Sequence, residues 1–528
     1  MFTGAINFMC NLNAFKFTQM TRLILGIALL IGCCVARGQA TLVKTDKGWV
    51  SGTTDSERGL RVFKGIPFAA PPVGELRWRA PQPVRAWTDT LQATEFSASP
   101  IQNKPRPFYA WSEEFIAQPE PLSEDCLYLN VWTPAESGNE KLPVFVWIYG
   151  GGLNSGSANC AIYDGAELAS KGVVFVSLNY RVGVLGFLAH PELSEESGHG
   201  ASGNYGFMDQ TAAMDWVRRN IAAFGGDPDN VTIAGQSAGA FSVNAQIASP
   251  LAKGLFHKAI LQSGGLLSGR LSQDLEQAEA AGVRFIEKAG VRSLGVLREL
   301  PADSIQAVSN LPGVGRFGVT LDGHFLPDTD MRAYFREGRH NQVPVIAGWV
   351  TGDGNFMGSN AMTPEAYRRE ADSLYGERAG AFLELFPGST GEEVQESRSL
   401  ITLLGFAGLP AHRMALASGG TSYLYQFGHV PPDKPDFPNY GAFHTSEVPF
   451  TLHTLHTWDR PWQPYDRKVE DTLSSYWLNF AKTGNPNGPG LPAWKHYQYG
   501  SGDILVIDET IRTEPGLLQE ELRFLDRN

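Results

Sequence analysis

Cysteine is scarce in this chain, with five among 528 residues, and three of these (Cys10, Cys33 and Cys34) fall within the first 40 positions. The remaining two, Cys126 and Cys160, are too few for a disulfide scaffold, and their spacing fits no zinc pattern. Whether those two pair is left open by the sequence. Basic charge is also in deficit: 43 Lys+Arg face 55 Asp+Glu, for a net charge of −12. Lys16, Arg22 and Arg37 are the charged residues of the first 40 positions, so the remainder is more acidic still. That balance excludes the electrostatic footprint of a nucleic-acid or anionic-membrane binder. Internal repeats, low-complexity tracts and long linkers are absent. Past the N-terminal region no apolar run reads as a membrane span. Nothing in the pattern sets an oligomeric state.

The N-terminal 40 residues read as a leader. Thr21-Arg22 precede the apolar run Leu23 to Ile31, and Gly32-Cys33-Cys34-Val35-Ala36-Arg37-Gly38-Gln39-Ala40 follows. A basic flank, a short apolar core and small residues make a secretory signal, too short to cross a bilayer. Met20 directly precedes it, so residues 1–19 are either an extended n-region or lie upstream of the true start. Cleavage after Ala40 gives a soluble exported protein; Leu30-Ile31-Gly32-Cys33 also resembles a lipobox, which would make Cys33 a lipidated N-terminus. The expectation is an exported, periplasmic or extracellular protein, with residues 41–528 as one domain.

From position 144 onward, strand-like apolar runs alternate with helical patterns. Val144–Tyr149, Val173–Tyr180, Val231–Ala234, Ala259–Gln262, Val343–Ala347 and Ser422–Phe427 predict parallel strands buried on both faces. Asp209–Phe224 reads as a helix. Stretches 265–340 and 355–420 have helical periodicity and are expected over the carboxyl edge of the sheet, where α/β sites form. Segment 42–130, rich in Pro and Gly, is expected to form antiparallel edge strands and loops.

Chemistry concentrates at Gly235-Gln236-Ser237-Ala238-Gly239, between the Val231 strand and a small-residue helix. G-x-S-x-G in that context describes a strained turn that lifts a serine hydroxyl above the sheet. Tyr149-Gly150-Gly151-Gly152 follows the Val144 strand and offers backbone N–H groups to an oxyanion. A serine nucleophile needs a base, and nine histidines follow Ser237: His257, His324, His340, His412, His429, His444, His453, His456 and His496. Composition does not choose among them. His444, in a loop after the Ser422–Phe427 strand, is placed where such a base belongs.

These residues, together with Val62–Ala69, Glu124–Val131, Asn179-Tyr180-Arg181, Gly203–Gly206, Phe224–Pro228, Gly441–Glu447 and Phe480–Asn487, resemble the type-B carboxylesterases over nearly the whole chain after the leader. That branch includes carboxylesterases, cholinesterases and bacterial p-nitrobenzyl esterases. The resemblance implies an α/β-hydrolase fold: a large, mostly parallel central sheet flanked by helices, with helical insertions over the active site. It implies Ser237 as nucleophile, His444 as general base, and the N–H groups of Gly151, Gly152 and Ala238 as the oxyanion hole. Glu447 and Ser263 would support these residues from outside the triad. The implied activity is hydrolysis of small-molecule carboxylic esters through an acyl-enzyme, with no metal or other cofactor. The same constellation also suits amides, thioesters or carbamates, and a non-catalytic binding module on this fold is the remaining alternative.

Two departures stand out. The acid is usually a glutamate, whereas Gly348-Trp349-Val350-Thr351-Gly352-Asp353-Gly354 places Asp353 there, with Glu447 as competitor. In the family Cys126 pairs with a cysteine about thirty residues earlier; Phe96–Gln102 supplies none, so loop 96–122 is expected to be unlocked. Phe108, Tyr109, Trp111, Trp349 and Phe356 are candidates to line an apolar gorge, with burial in the core the favoured reading.

Overall fold

The structure, a computed structural model, describes residues 41–268, 272–357, 362–435 and 438–527. The expected leader, with Cys33 and both processing routes, lies outside the described residues.

The apolar runs become the centre of a 13-stranded sheet. Its order is Thr41–Lys44, Trp49–Asp55, Leu60–Pro67, Tyr128–Thr133, Val174–Leu178, Leu142–Ile148, Gly226–Gln236, Lys258–Gln262, Val345–Val350, Ser422–Phe427, Ile504–Ile507 and Ile511–Glu514, with Leu91–Gln92 alongside the second strand. From Val174–Leu178 through Ile504–Ile507 every neighbour is parallel. The first strands and the last are antiparallel, so the sheet is parallel at its heart and antiparallel toward both edges. Val144–Ile148 and Val173–Val176 are fully buried, as strands covered by helices on both faces must be.

The helix Ala238–Ala248 packs on the Gly226–Gln236 and Lys258–Gln262 strands, and Pro464–Thr483 packs on Leu142–Ile148 and Gly226–Gln236. The two expected helical insertions are present. The first holds Leu275–Ala289, Leu294–Glu299, Ala302–Ser309 and Met331–Arg336, plus a small parallel ladder of Ser272–Asp274 with Val319–Leu321. The second holds Pro364–Tyr375, Ala379–Leu385, Gly391–Leu403 and Leu409–Ala417.

One expectation needs correction. A π-helical turn at Leu404–Gly408 joins the last two helices into one element, Gly391–Ala417, long and apolar enough by length and composition to cross a membrane. Val394, Leu403, Leu404, Ala407, Met414 and Ala415 on it are buried in the core, so its apolar residues are spent on packing inside the fold.

Loop 96–122 has no disulfide to Cys126, which is free, and its first residues are tied by hydrogen bonds. Asn179 Nδ2 donates to Ser97 Oγ and to the Ala98 carbonyl, and Gln102 exchanges two hydrogen bonds of 2.9 Å with the backbone of Gly156. Hydrogen bonds therefore hold the segment, while Cys126 and Cys160 are both buried and free.

Candidate active site

Ser237 sits where the Gly226–Gln236 strand ends and the Ala238–Ala248 helix begins, at φ 57° and ψ −123°. A non-glycine residue there stores strain on the order of 1–3 kcal/mol, which the surroundings must hold. They do so through the backbone: Ser237 N–H donates to the Gln262 carbonyl at 2.8 Å. Glycines on either side are obligatory. A Cβ on Gly239 would lie 2.1 Å from the Ile148 carbonyl oxygen, and one on Gly235 would lie 2.6 Å from the Gly239 backbone. The Ala238 N–H opens the helix, at the positive end of its dipole.

The glycine loop lies against this turn. A Cβ built on Gly150 would come within 3.1 Å of Ser237 Cβ. Gly151 and Gly152 adopt φ 109° and 65° and are exposed. The start of the loop is fixed by a reciprocal tyrosine pair. Tyr149 OH donates to the Tyr180 carbonyl and Tyr180 OH to the Tyr149 carbonyl, both at 3.0 Å, with the rings stacked 4.4 Å apart. Arg181, next in chain, is pinned by two side-chain bonds to buried Asp209 at 2.8 and 2.7 Å.

His444 Nδ1 lies 2.5 Å from Asp353 Oδ1, and both side chains are buried. Asp353 Oδ2 accepts from Val350 N–H at 2.9 Å, which orients the carboxylate. The two loops are stitched together, since Gly352 N–H donates to the Ala442 carbonyl at 3.0 Å and Gly352 bridges to Phe443. Asp353, with one methylene fewer than glutamate, reaches the imidazole because its own turn is drawn onto the histidine loop.

Glu447 stands apart from this pair. Its carboxyl accepts from Ser263 Oγ at 3.3 Å and from Tyr425 OH at 3.0 Å. Burial, and then the nearby Asp353 carboxylate, push it up to about 8. Most of the other candidate histidines have partners elsewhere: His257 Nδ1 accepts from Val231 N–H, His412 meets Tyr497, His429 meets Asp466, His453 meets Asp471, His496 meets Tyr423, and His324 stacks on His199. His340 stacks on Phe335. His429–Asp466 is also a short His–carboxylate contact, but it lies away from the elbow, between the Phe427 strand end and the Pro464 helix.

The aromatic candidates divide. Trp349 is fully buried and donates to Gln426 Oε1, so it is core. Phe108 is 62 % exposed, and Tyr109, Trp111 and Phe356 are half-buried. The core reading therefore fails for Phe108 and Phe356, whereas Tyr109 and Trp111 pack against the edge of the core. Phe356 stacks on His444 with centroids 4.9 Å apart, and Trp111 meets the same ring edge-on at 6.3 Å. Phe406, which sequence reasoning missed inside a helical insertion, stands 5.4 Å from it. Gln236 was missed as well: its Nε2 lies 3.4 and 3.3 Å from the two ring nitrogens of His444. Its place in the elbow pentapeptide was the available signal.

The carboxylesterase family model matches residues 39–525. Fumonisin B1 esterase of Sphingopyxis macrogoltabida is 34% identical over 496 residues, spanning 90% of this chain and 87% of that protein. Para-nitrobenzyl esterase of Bacillus subtilis is 34% identical over 492 residues, spanning 90% of this chain and 96% of that one. Among solved structures, a PNB esterase superposes with a TM-score of 0.79 at 32% identity, covering 92% of this chain and 99% of the other. A Geobacillus stearothermophilus carboxylesterase does so with a TM-score of 0.78, also at 32% identity, over 92% and 99% of the two chains.

Proposed function

The chain belongs to the carboxylesterase family, and from that premise we propose how its own residues carry out the reaction and on which esters. It is a carboxylic-ester hydrolase. In the proposed route Ser237 Oγ attacks the ester carbonyl carbon while His444 Nε2 takes the hydroxyl proton. Asp353 holds the Nδ1–H tautomer and balances the imidazolium. The carbonyl oxygen, now negative, is met by the N–H groups of Gly151, Gly152 and Ala238. Collapse of the tetrahedral adduct breaks the bond to the alcohol oxygen, which receives the proton from His444. A water then gives a proton to His444 and attacks the acyl carbon; the acyl carbon–Oγ bond breaks, His444 returns the proton to Ser237 Oγ, and the acid leaves. The observation that carries this reading is the 2.5 Å contact of His444 with Asp353 beside a strained serine elbow.

The substrates proposed are short aromatic or alkyl esters. Trp111, Phe356 and Phe406 wall the histidine, and Phe108 extends that apolar surface outward. A hydrolysis panel tests it: p-nitrophenyl and short alkyl esters are expected to turn over much faster than emulsified long-chain triglycerides. Activity that rises sharply only above the solubility limit of a triglyceride refutes the assignment.

The N-terminal leader is proposed to be removed on export, either through Ala40 or ahead of Cys33. Intact-mass analysis of protein from a native-like host is expected to find a chain beginning near Thr41, or a lipidated Cys33. A product that retains Met1 in the cytoplasm defeats both routes.

A further inference from the structure

A run of hydrogen bonds links the outer loop to the base of the site. Trp111 Nε1 lies 3.1 Å from Thr445 Oγ1, and Thr445 Oγ1 lies 3.3 Å from Gln236 Oε1. The Gln236 amide nitrogen in turn rests on the His444 ring. The run has a direction. An indole N–H only donates, so Thr445 Oγ1 accepts from Trp111 and keeps its own hydrogen for Gln236 Oε1. The reversed amide would face its N–H₂ toward that hydroxyl and leave the buried threonine hydrogen without an acceptor. The indole thereby decides which end of Gln236 meets the histidine.

The contact with His444 is restrictive in a useful way. An amide nitrogen nearly equidistant from both ring nitrogens lies along the lone pair of neither, so it bears on the ring itself. The Nδ1–H remains for Asp353 and the Nε2 lone pair for the serine proton. Phe356 stacks on the same imidazole, so it is confined from more than one direction. Thr445 is held at φ 88°, a left-handed conformation unusual for a β-branched residue. Strain at a residue adjoining the base marks a position that the surroundings over-determine.

We propose that Trp111, Thr445 and Gln236 form a directional hydrogen-bonded relay whose role is to hold the His444 imidazole at its working angle. Thr445 and Trp111 are positioning residues: they act through Gln236 and touch no reacting atom in the relay. The relay rests on the assignment of Ser237 and His444 made above. Through it the outer loop, which has no disulfide, still communicates with proton transfer. A tilt of the ring weakens the transfer but leaves the apolar walls in place, so the loss belongs in kcat and not in KM.

The test uses full-length protein and two readouts: steady-state kinetics on a p-nitrophenyl ester, and the rate and site of labelling by a fluorophosphonate. Thr445→Val keeps the branched shape and removes the hydroxyl; Trp111→Phe keeps an aromatic wall and removes the N–H. Each is expected to lower kcat and slow labelling of Ser237 by about tenfold, with KM within about twofold of the parent. The double variant is expected to be no more than about twofold slower than either single one, because both break the same run. Thr445→Ser, which restores the hydroxyl, is expected to recover the rate to within about twofold. Trp111→Phe alters only a loop side chain, so it keeps the question open to measurement should Thr445→Val fail to fold. Parental labelling rates in both single variants overturn the relay. So does a double variant about a hundredfold slower, the product of independent effects, or a Thr445→Ser variant as slow as Thr445→Val. Label found elsewhere than Ser237 in the parent protein overturns the nucleophile assignment, and the relay with it.

Discussion

Replacing Ser237 with alanine is expected to lower ester hydrolysis on the order of 10³-fold or more while the protein stays folded. The side chain is half-buried at the tip of the elbow, and the turn is held by backbone, through the Ser237 N–H to Gln262 bond and the close approaches at Gly235 and Gly239. Losing the hydroxyl therefore removes the attacking atom and leaves the turn. What remains is the oxyanion site and substrate binding, which by themselves sustain only a small fraction of the rate. Turnover of a p-nitrophenyl ester, measured beside a thermal melt, decides the matter. Near-parental turnover by a folded Ser237→Ala protein would remove Ser237 from the mechanism.

Much of the fold was legible because a strand buried on both faces leaves an unambiguous trace. Val144–Ile148 and Ser422–Phe427 are continuous apolar runs in sequence and central strands in the structure. The strands Ile504–Ile507 and Ile511–Glu514 escaped notice. Each has four residues, and after the long Pro464–Thr483 helix nothing local tells such a pair from a loop, although Asp508-Glu509-Thr510 between them does carry turn chemistry. Gly391–Ala417 shows the converse problem, since hydropathy alone does not tell a core helix from a membrane span.

The site was legible to the extent that its chemistry is written in local pattern. The elbow and Gly150–Gly152 need particular residues at fixed spacing, because backbone must approach backbone. The histidine had no such signature among nine candidates; its loop after the Ser422–Phe427 strand pointed to His444, and the resemblance to a family assigned it the role. Trp111, Thr445 and Gln236 come from three distant segments and meet only once the sheet has formed, with 334 positions separating Trp111 from Thr445. Their contact is a tertiary fact with no periodicity behind it. The aromatic residues were misjudged for a related reason: an exposed Phe108 and a buried Trp349 look alike in sequence, and only the walls of the cleft tell them apart.

The choice between Asp353 and Glu447 yields the other large expected effect. Asp353→Asn is expected to keep the fold and lower kcat by as much as roughly 10⁴-fold. The asparagine amide offers either a weaker acceptor to Nδ1–H or, turned over, an N–H that forces the proton onto Nε2, where it blocks uptake of the serine proton. Glu447→Gln is expected to cost less than about tenfold. Burial and the Asp353 carboxylate push Glu447 up to about 8, so at neutral pH a neutral amide of the same shape replaces a mostly neutral acid. Ser263 and Tyr425 meet it through hydroxyls, which can donate or accept, so the amide can be satisfied in the same pocket. The same shift fixes a sign for stability. A carboxyl whose folded value stands above its ordinary 4.5 contributes stability that is fully present below that value and is lost as pH rises through about 8. The parent protein is therefore expected to lose more melting temperature between pH 5 and 9 (roughly the window that linkage defines) than Glu447→Gln does. Kinetics and melts of the two variants read both effects together. If folded Glu447→Gln proves the more damaged in kcat, the acid of the triad is Glu447, and the 2.5 Å contact of Asp353 with His444 is structural.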